Sequence, residues 1–124
     1  MGGPRWQFKK FADASSKAWF PRAWQDKVFG GFTCSASLIG DKGATMMALQ
    51  TLGSQHGGLW VSLGLMPSNA TASTRNDVNS LGGSVGLMVQ CPSDAGADQI
   101  PQGDLDTATR YGERVAAIAA RLRA

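Results

Sequence analysis

The sequence predicts a single α/β domain, residues 1–124, with a parallel sheet. Helix-like and strand-like segments alternate in the order helix, strand, helix, strand, helix, and such alternation is typical of parallel strands joined by crossover helices. Hydrophobic residues make up 43% of the chain and charged residues 17%, which suits a packed core and excludes a disordered chain. The 16 glycines are nearly twice the usual share of about 7% and indicate close backbone approach or positive φ at many positions.

The first half of the chain predicts two helices and one strand. Apolar side chains recur at helical spacing over residues 7–17, and Pro21 cannot continue that helix. The short apolar run 27–33 predicts a buried strand, and its glycines indicate that another element packs closely on it. A loop of small and hydroxyl residues follows over 33–40. We expect the next helix to span residues 41–54, capped by its first residue, an aspartate.

The second half predicts a strand at 59–63, a long excursion at 64–84 and a final helix at 104–122. The excursion is rich in Asn, Ser, Thr and Gly, and loops of that length are usually functional or mobile. The run 85–89 is either a third strand or a continuation of the second. The final helix has acidic residues at its start, basic residues at its end and the following apolar stripe: Ala108, Tyr111, Gly112, Val115, Ile118, Ala119 and Leu122.

Charge and composition exclude several classes of protein. The net charge of +3 is spread along the chain, and Lys9-Lys10 is its only short basic cluster, so we expect no nucleic-acid partner. No apolar run reaches the ~18 residues of a membrane span, and the basic residues near the start exclude a signal peptide. These features predict a cytoplasmic protein without a membrane span. Cys34 and Cys91 are far apart and His56 is the only histidine, so no metal site is predicted.

The loop over residues 33–40 is the first candidate site, because ligands of open α/β sheets bind outside the carboxyl ends of the strands. It offers backbone N–H groups and the hydroxyls of Thr33, Ser35 and Ser37 with little side-chain bulk. That composition suits a flat ligand with a polar edge, although small-residue loops are often plain connectors. The loop matches neither the Walker pattern nor the dinucleotide-binding glycine pattern.

His56 and Trp19 each allow two interpretations. His56 follows the second helix. It either interacts favourably with the negative end of the helix dipole or lines the cleft at the strand ends. Trp19 lies beside Phe20 and Pro21 outside the predicted helix, either as a core residue or as an aromatic wall of a pocket. We do not expect a hydrolase triad in this chain.

Several motifs together resemble the flavodoxin-like NAD(P)H:quinone oxidoreductases, the tryptophan repressor-binding protein family. The resemblance begins with Gly2-Gly3-Pro4 leading into residues 6–11. It continues through Trp19, the run 27–32 and the Ser/Thr loop. It then extends through Gln55-His56-Gly57-Gly58 and Tyr111-Gly112, and so covers nearly the whole chain.

The resemblance implies that FMN binds at the strand carboxyl ends and passes two electrons from NAD(P)H to a quinone or similar acceptor. Trp19 matches an aromatic residue over the substrate face. Family members often assemble as dimers or tetramers with sites at subunit contacts, so we expect a homo-oligomer. The positions that match flavin-contacting residues are Gly2, Gly3, Pro4, Thr33, Cys34, Ser35, Ala36, Ser37, Leu38 and His56.

The chain departs from the family pattern in two ways. The loop at 33–40 lacks the family's run of glycines. The first three strands, with the hydroxyl-rich loop that holds the FMN phosphate, have no counterpart, so we expect a partial flavodoxin-like three-layer sandwich corresponding to the C-terminal part of the domain. The alternative to an enzyme is a non-catalytic fragment. It is either the product of a reading frame that starts at an internal methionine, or a half-domain that completes its sheet with a separate partner or by swapping with a second copy.

Overall fold

A computed structural model describes residues 2–123. It contains four α-helices, four short strands and one 3₁₀ turn, Ala97–Gln99. In chain order the helices and strands are α1 (Trp6–Ala14), α2 (Ser16–Trp19), β1 (Val28–Phe29), β2 (Phe32–Ser35), α3 (Lys42–Gln55), β3 (Leu59–Trp60), β4 (Leu87–Gln90) and α4 (Gln102–Arg121).

Both strand pairs are parallel, β1 with β3 and β2 with β4. They form two short sheets whose backbone hydrogen bonds follow one line. The donors and acceptors of its outer bonds are Leu59 to Lys27 at 2.8 Å, Val61 to Phe29 at 2.8 Å, Leu87 to Gly31 at 3.1 Å and Cys91 to Ser35 at 3.2 Å. All four acceptors are odd-numbered residues of one segment, so their carbonyls point to the same side of it. Residues 62–86 therefore loop out between two neighbouring rungs of a single interrupted strand.

The predicted strand at 27–33 thus divides at Gly30-Gly31 and extends to Ser35. Within the run 85–89, residues from Leu87 onward form a separate strand, β4, which pairs with β2 and not with the partner of β3; in this respect the run is a third strand, although its hydrogen bonds follow the same line as those of β3. Between the end of β3 and the start of β4, one backbone hydrogen bond is replaced by the side chain of Tyr111 from α4, which bonds to both backbone groups.

Helices cover both faces of the sheet. A Cβ at Gly30 would lie 2.8 Å from the Tyr111 hydroxyl on α4, whereas a Cβ at the next residue, Gly31, would lie 3.1 Å from the Leu49 side chain on α3. Successive strand residues face opposite sides, so the sheet lies between α3 and α4 as the middle of three layers. Both glycines lack the side chain that would keep these helices away from the sheet.

The core lies between the sheet and α4. Its buried members are Val61, Leu63, Leu87 and Tyr111. The apolar stripe predicted on the last helix packs here through Ala108, Val115 and Ile118, whereas Leu122 is exposed.

Three details of the helices differ from the predictions. The first helix is divided at Ser15 into α1 and α2. Asp41 precedes α3 in the left-handed conformation (φ 51°) and its side chain makes no capping hydrogen bond. The last helix begins two residues early, at Gln102, and Asp104 binds the excursion instead of only facing the helix dipole.

The long excursion is attached to α4 by buried and partly buried polar contacts. Arg75 donates two hydrogen bonds to the Asp104 carboxylate, at 3.0 and 2.8 Å. Asn79 donates through its backbone N–H to the Thr107 hydroxyl at 2.8 Å, and its side-chain amide donates to the carbonyls of Leu65 and Gly83. The excursion is therefore an integral part of the folded domain.

The other edge of the β1–β2 segment has no strand partner among residues 2–123. Phe32 on this segment is 74% exposed. Beside it, an apolar cleft of about 540 Å³ runs between the sheet and α4 from Val28 to Ala119. Unpaired strand groups next to exposed apolar surface form an edge that is open to pairing.

Candidate cofactor site at the carboxyl ends of the strands

Two of the predicted segments meet in one cleft. The stretch Gly2–Pro4 lies across from Thr33, Cys34 and Ser35 at the carboxyl end of β2, and the cleft between them has a volume of about 480 Å³. This volume falls within the ~300–1,000 Å³ of small-molecule sites. The structure therefore brings together the two segments that were matched to flavin contacts.

Four consecutive carbonyl groups of the loop after β2, those of residues 36–39, have donors within the protein. The carbonyl of Ala36 accepts from Gln90 Nε2 at 2.7 Å. The carbonyls of Ser37 and Leu38 each accept from Lys42 Nζ at 2.8 Å. The Ile39 carbonyl accepts from the Lys42 backbone N–H at 3.2 Å, so four consecutive carbonyls are turned toward the protein.

The amide groups of the same loop behave in the opposite way. None of the N–H groups of residues 36–41 donates to an acceptor within residues 2–123. In a trans peptide the N–H points away from the carbonyl of the preceding residue, so the N–H groups of residues 37–40 face away from the side chains that hold the carbonyls. A row of free N–H donors is a favourable surface for an electron-rich or anionic group.

Lys42 is nearly inaccessible, with 3% of its surface exposed. Burial lowers the pKa of its ammonium group, while the charges of Cys34 and Asp104 raise that pKa and Arg75 lowers it. A buried ammonium is stable only when its donors are satisfied. The loop carbonyls satisfy them, so the lysine and the loop stabilise each other.

Trp19 and His56 lie in a second cavity, of about 410 Å³, together with Ser15, Arg22 and Gln55. His56 ends α3, and the carbonyl of the next residue, Gly57, accepts from the N–H of Asp26 just before β1. This cavity is therefore at the amino ends of the strands, at the opposite edge of the sheet from the loop. Within one copy of the chain, these two residues do not join the 33–38 segment.

His56 is buried against the Trp24 ring, with a centroid separation of 4.3 Å. Its Nε2 lies 2.8 Å from the Ser15 hydroxyl, which donates its single proton to the Ala12 carbonyl at 2.6 Å. The histidine must then donate through Nε2–H, and its Nδ1 is buried without a partner within residues 2–123. A histidine that donates to a serine cannot remove that serine's proton, so the pair is not arranged as a nucleophile and base.

Sequence reasoning missed four polar residues around the loop and its cleft. Arg5 and Thr45 line the cleft, and Lys42 and Gln90 hold the loop. The position of Lys42 could have been noticed in the sequence. A lysine in the first turn of a helix is unfavourable next to the positive end of the helix dipole, so its presence there indicates a separate interaction of its side chain. Ala36, Ser37 and Leu38 belong to the loop, but they do not line the cleft itself.

Residues 2–123 contain no cluster of three or more potential metal-ligating side chains. Over the same span, none of the helices combines the length and apolar character needed to cross a bilayer.

A parallel sheet between two helical layers, with a ligand-sized cleft at the strand carboxyl ends, defines an α/β domain of the doubly wound class. Comparison with known proteins narrows that class. Over all 124 residues the chain is 62% identical to flavodoxin FldP of Pseudomonas aeruginosa (strain UCBPP-PA14) and covers 67% of that protein. No protein-family model matches the chain.

The fold has a similar counterpart among solved structures. The crystal structure of the flavodoxin, WrbA-like protein from Agrobacterium tumefaciens aligns with a TM-score of 0.72 and 51% identity. It matches 98% of this chain, which spans 60% of that protein's chain. The chain belongs to the flavodoxin family, and the prediction of a partial flavodoxin-like α/β fold is confirmed.

Proposed function

We propose that the chain is a flavoprotein segment that holds FMN in the cleft between Gly2–Pro4 and the loop at 33–40. The observation that carries this proposal is the row of free N–H groups at residues 37–40. The row ends at Gly40, which lines the cleft, and residues 37–39 lie next to the cleft. The isoalloxazine ring of a flavin has carbonyl oxygens and ring nitrogens along one edge, which are acceptors for such donors. Membership of the flavodoxin family supports the same ligand.

The roles of the individual residues follow from their positions. Gly2 and Gly3 have no side chain to keep a flat ring from the backbone, and Pro4 gives them a rigid continuation into α1. Thr33, Cys34 and Ser35 form the opposite wall. Arg5 adds a cationic group at the cleft, which favours an anionic or electron-rich ligand.

The finer part of the proposal is the reaction. Bound FMN supplies two-electron transfer from NAD(P)H to a quinone or a similar acceptor, and the chain's residues bind and orient it. Trp19 and His56 lie too far along the sheet to act in the same copy. In a homo-oligomer with sites at subunit contacts, their cavity from one copy would face the cleft of another.

Titration of the purified chain with FMN tests the proposal. We expect quenching of flavin fluorescence and a shifted visible spectrum on binding. The affinity should be weak, because the phosphate loop that the family resemblance implies has no counterpart among residues 2–123. Uptake of riboflavin as well would locate the contacts on the ring. A chain that leaves both spectra unchanged at millimolar concentration would contradict FMN binding, and NAD(P)H oxidation on addition of a quinone tests the reaction separately.

A second candidate is a half-domain that completes its sheet with another polypeptide or a second copy. The exposed Phe32 and the open β1–β2 edge favour it. Light scattering after size exclusion distinguishes the two. A stable monomer that binds flavin supports the first proposal alone, whereas an assembly that dissociates when Phe32 is changed to Lys supports the second.

A further inference from the structure

The side chain of Lys42 donates hydrogen bonds to the carbonyls of the candidate flavin-binding loop. It reaches back from the first residue of α3 to two loop carbonyls at 2.8 Å each and a third, of Ile39, at 3.5 Å. Leu38 and Ile39 are 64% and 83% exposed, so apolar packing does not hold this part of the loop. The hydrogen bonds of the Lys42 ammonium group hold this part of the loop instead.

Gln90 fixes the other end of the loop. Its side chain donates to the Ala36 carbonyl, and its backbone N–H donates to Asp104 Oδ2 at 3.0 Å. The same carboxylate is held by two bonds from Arg75. The loop is therefore attached through Gln90 to α4 and to the excursion.

We propose that Lys42 and Gln90 are positioning residues that turn the loop carbonyls inward and thereby direct the N–H groups of residues 37–40 at an electron-rich ring edge. This inference rests on the proposed function, since it assigns residues to the same site. Neither side chain has to touch the ligand. Their contribution is to orient the donors before the ligand arrives, which reduces the entropy cost of binding.

Charge attraction is the alternative explanation for any effect of Lys42, and the ligand itself can separate the two. A cation that attracts the phosphate would strengthen the binding of FMN but not of riboflavin. A cation that shapes the loop would strengthen the binding of both, because the ring is common to both ligands.

The experiment compares Lys42→Met, Lys42→Arg and Lys17→Met in the full chain. Lys17 is exposed, and its side chain has no hydrogen-bond partner among the described residues. The Lys17→Met variant therefore removes one positive charge without removing a side-chain hydrogen bond. Dissociation constants for FMN and riboflavin are measured by fluorescence, melting temperatures by circular dichroism, and backbone order of residues 36–41 by NMR relaxation without ligand.

We expect Lys42→Met to raise both dissociation constants about tenfold, the equivalent of one or two lost hydrogen bonds, and to lower the order of the free loop. Lys42→Arg should recover part of the affinity, and Lys17→Met should match the wild-type chain. Unchanged affinities in Lys42→Met, or a loss for FMN alone, would overturn the proposal. If the wild-type chain takes up neither flavin, the proposed function fails, and loop order that is unchanged in Lys42→Met then overturns this inference as well.

Discussion

The hydroxyl of Tyr111 accepts a hydrogen bond from the Gly31 backbone N–H at 3.2 Å and donates one to the Val61 carbonyl at 2.7 Å. These two backbone groups would bond directly in an uninterrupted parallel ladder. They are separated at the point where the partner strand leaves the sheet. One side chain from α4 thus substitutes for the missing rung.

Replacing Tyr111 by Phe should lower the free energy of unfolding by about 2 kcal/mol, because it leaves a buried N–H and a buried carbonyl without partners. The ring itself stays, so the apolar packing of the core is preserved. Urea denaturation followed by circular dichroism measures the change. A loss below about 0.5 kcal/mol, the size of an ordinary surface substitution, would contradict the bridging role.

The pH dependence of stability should report the same hydroxyl. Burial raises the pKa of Tyr111 from its ordinary value of 10.0, against smaller lowering effects of the Gly31 hydrogen bond and Arg114. Because the folded chain holds this proton more tightly than the unfolded chain, its contribution is complete below pH 10 and is lost as pH rises through the folded pKa. Tyr111 is the only tyrosine, so tyrosinate absorbance near 295 nm gives its titration directly, and a midpoint at or below 10 would refute the prediction.

Two threonines on α4 provide a matched test of the excursion's attachment. Thr107 is buried and accepts from the Asn79 N–H, whereas Thr109 is exposed and bonds only its own helix. Thr107→Val should cost about 1–3 kcal/mol, since it leaves the Asn79 N–H without an acceptor. Thr109→Val should change the unfolding free energy by less than about 0.5 kcal/mol, and equal effects in denaturation would argue against the attachment.

The contact between Ser15 and His56 can be tested with the neighbouring serine. Ser15→Ala removes the acceptor of a buried Nε2–H, on a ring whose Nδ1 is already without a partner in the described chain. We expect a loss of about 1–3 kcal/mol in thermal or chemical unfolding. Ser16 is exposed, and Ser16→Ala should have little effect; the reverse order of the two variants would be incompatible with the hydrogen bond.

Gly103 and Gly112 lie on the same helix and should respond in opposite ways to alanine. A Cβ at Gly103 would lie 2.7 Å from the Arg75 carbonyl oxygen, and backbone cannot move aside as a flexible side chain can, so we expect a loss of about 1–3 kcal/mol. A Cβ at Gly112 meets nothing within 4 Å. Gly112→Ala should therefore raise the unfolding free energy by about 0.5–1 kcal/mol, and melting temperatures of the two variants give the comparison.

The helices and the parallel arrangement were accessible from the sequence, because periodicity and the helix–strand alternation depend on local pattern. The break at Gly30-Gly31 was not, since a run of apolar residues looks the same whether it pairs with one segment or with two. The bonds of Lys42 and Gln90 to the loop escaped for a similar reason. They depend on which carbonyls face inward, and that is decided by the tertiary path of the chain.

The site residues divide in the same way. Local composition located the loop after β2, and the resemblance located the Gly2–Pro4 stretch, and these two do meet. The resemblance also placed His56 and Trp19 with them, but a helix as long as α3 carries its last residue to the far edge of the sheet. Their contact with a flavin remains a prediction that requires a second copy of the chain.

The ladder resumes at Leu87 in the phase it had at Val61, so the sheet itself does not need the residues between. Closing that gap by a deletion would nevertheless strip Asp104 of its cation and leave a buried carboxylate next to Gln90. Changes in this excursion therefore reach the loop at 33–40 through Asp104 and Gln90. Relatives that differ here can be expected to differ in how rigidly they hold that loop, with no change in the loop's own residues.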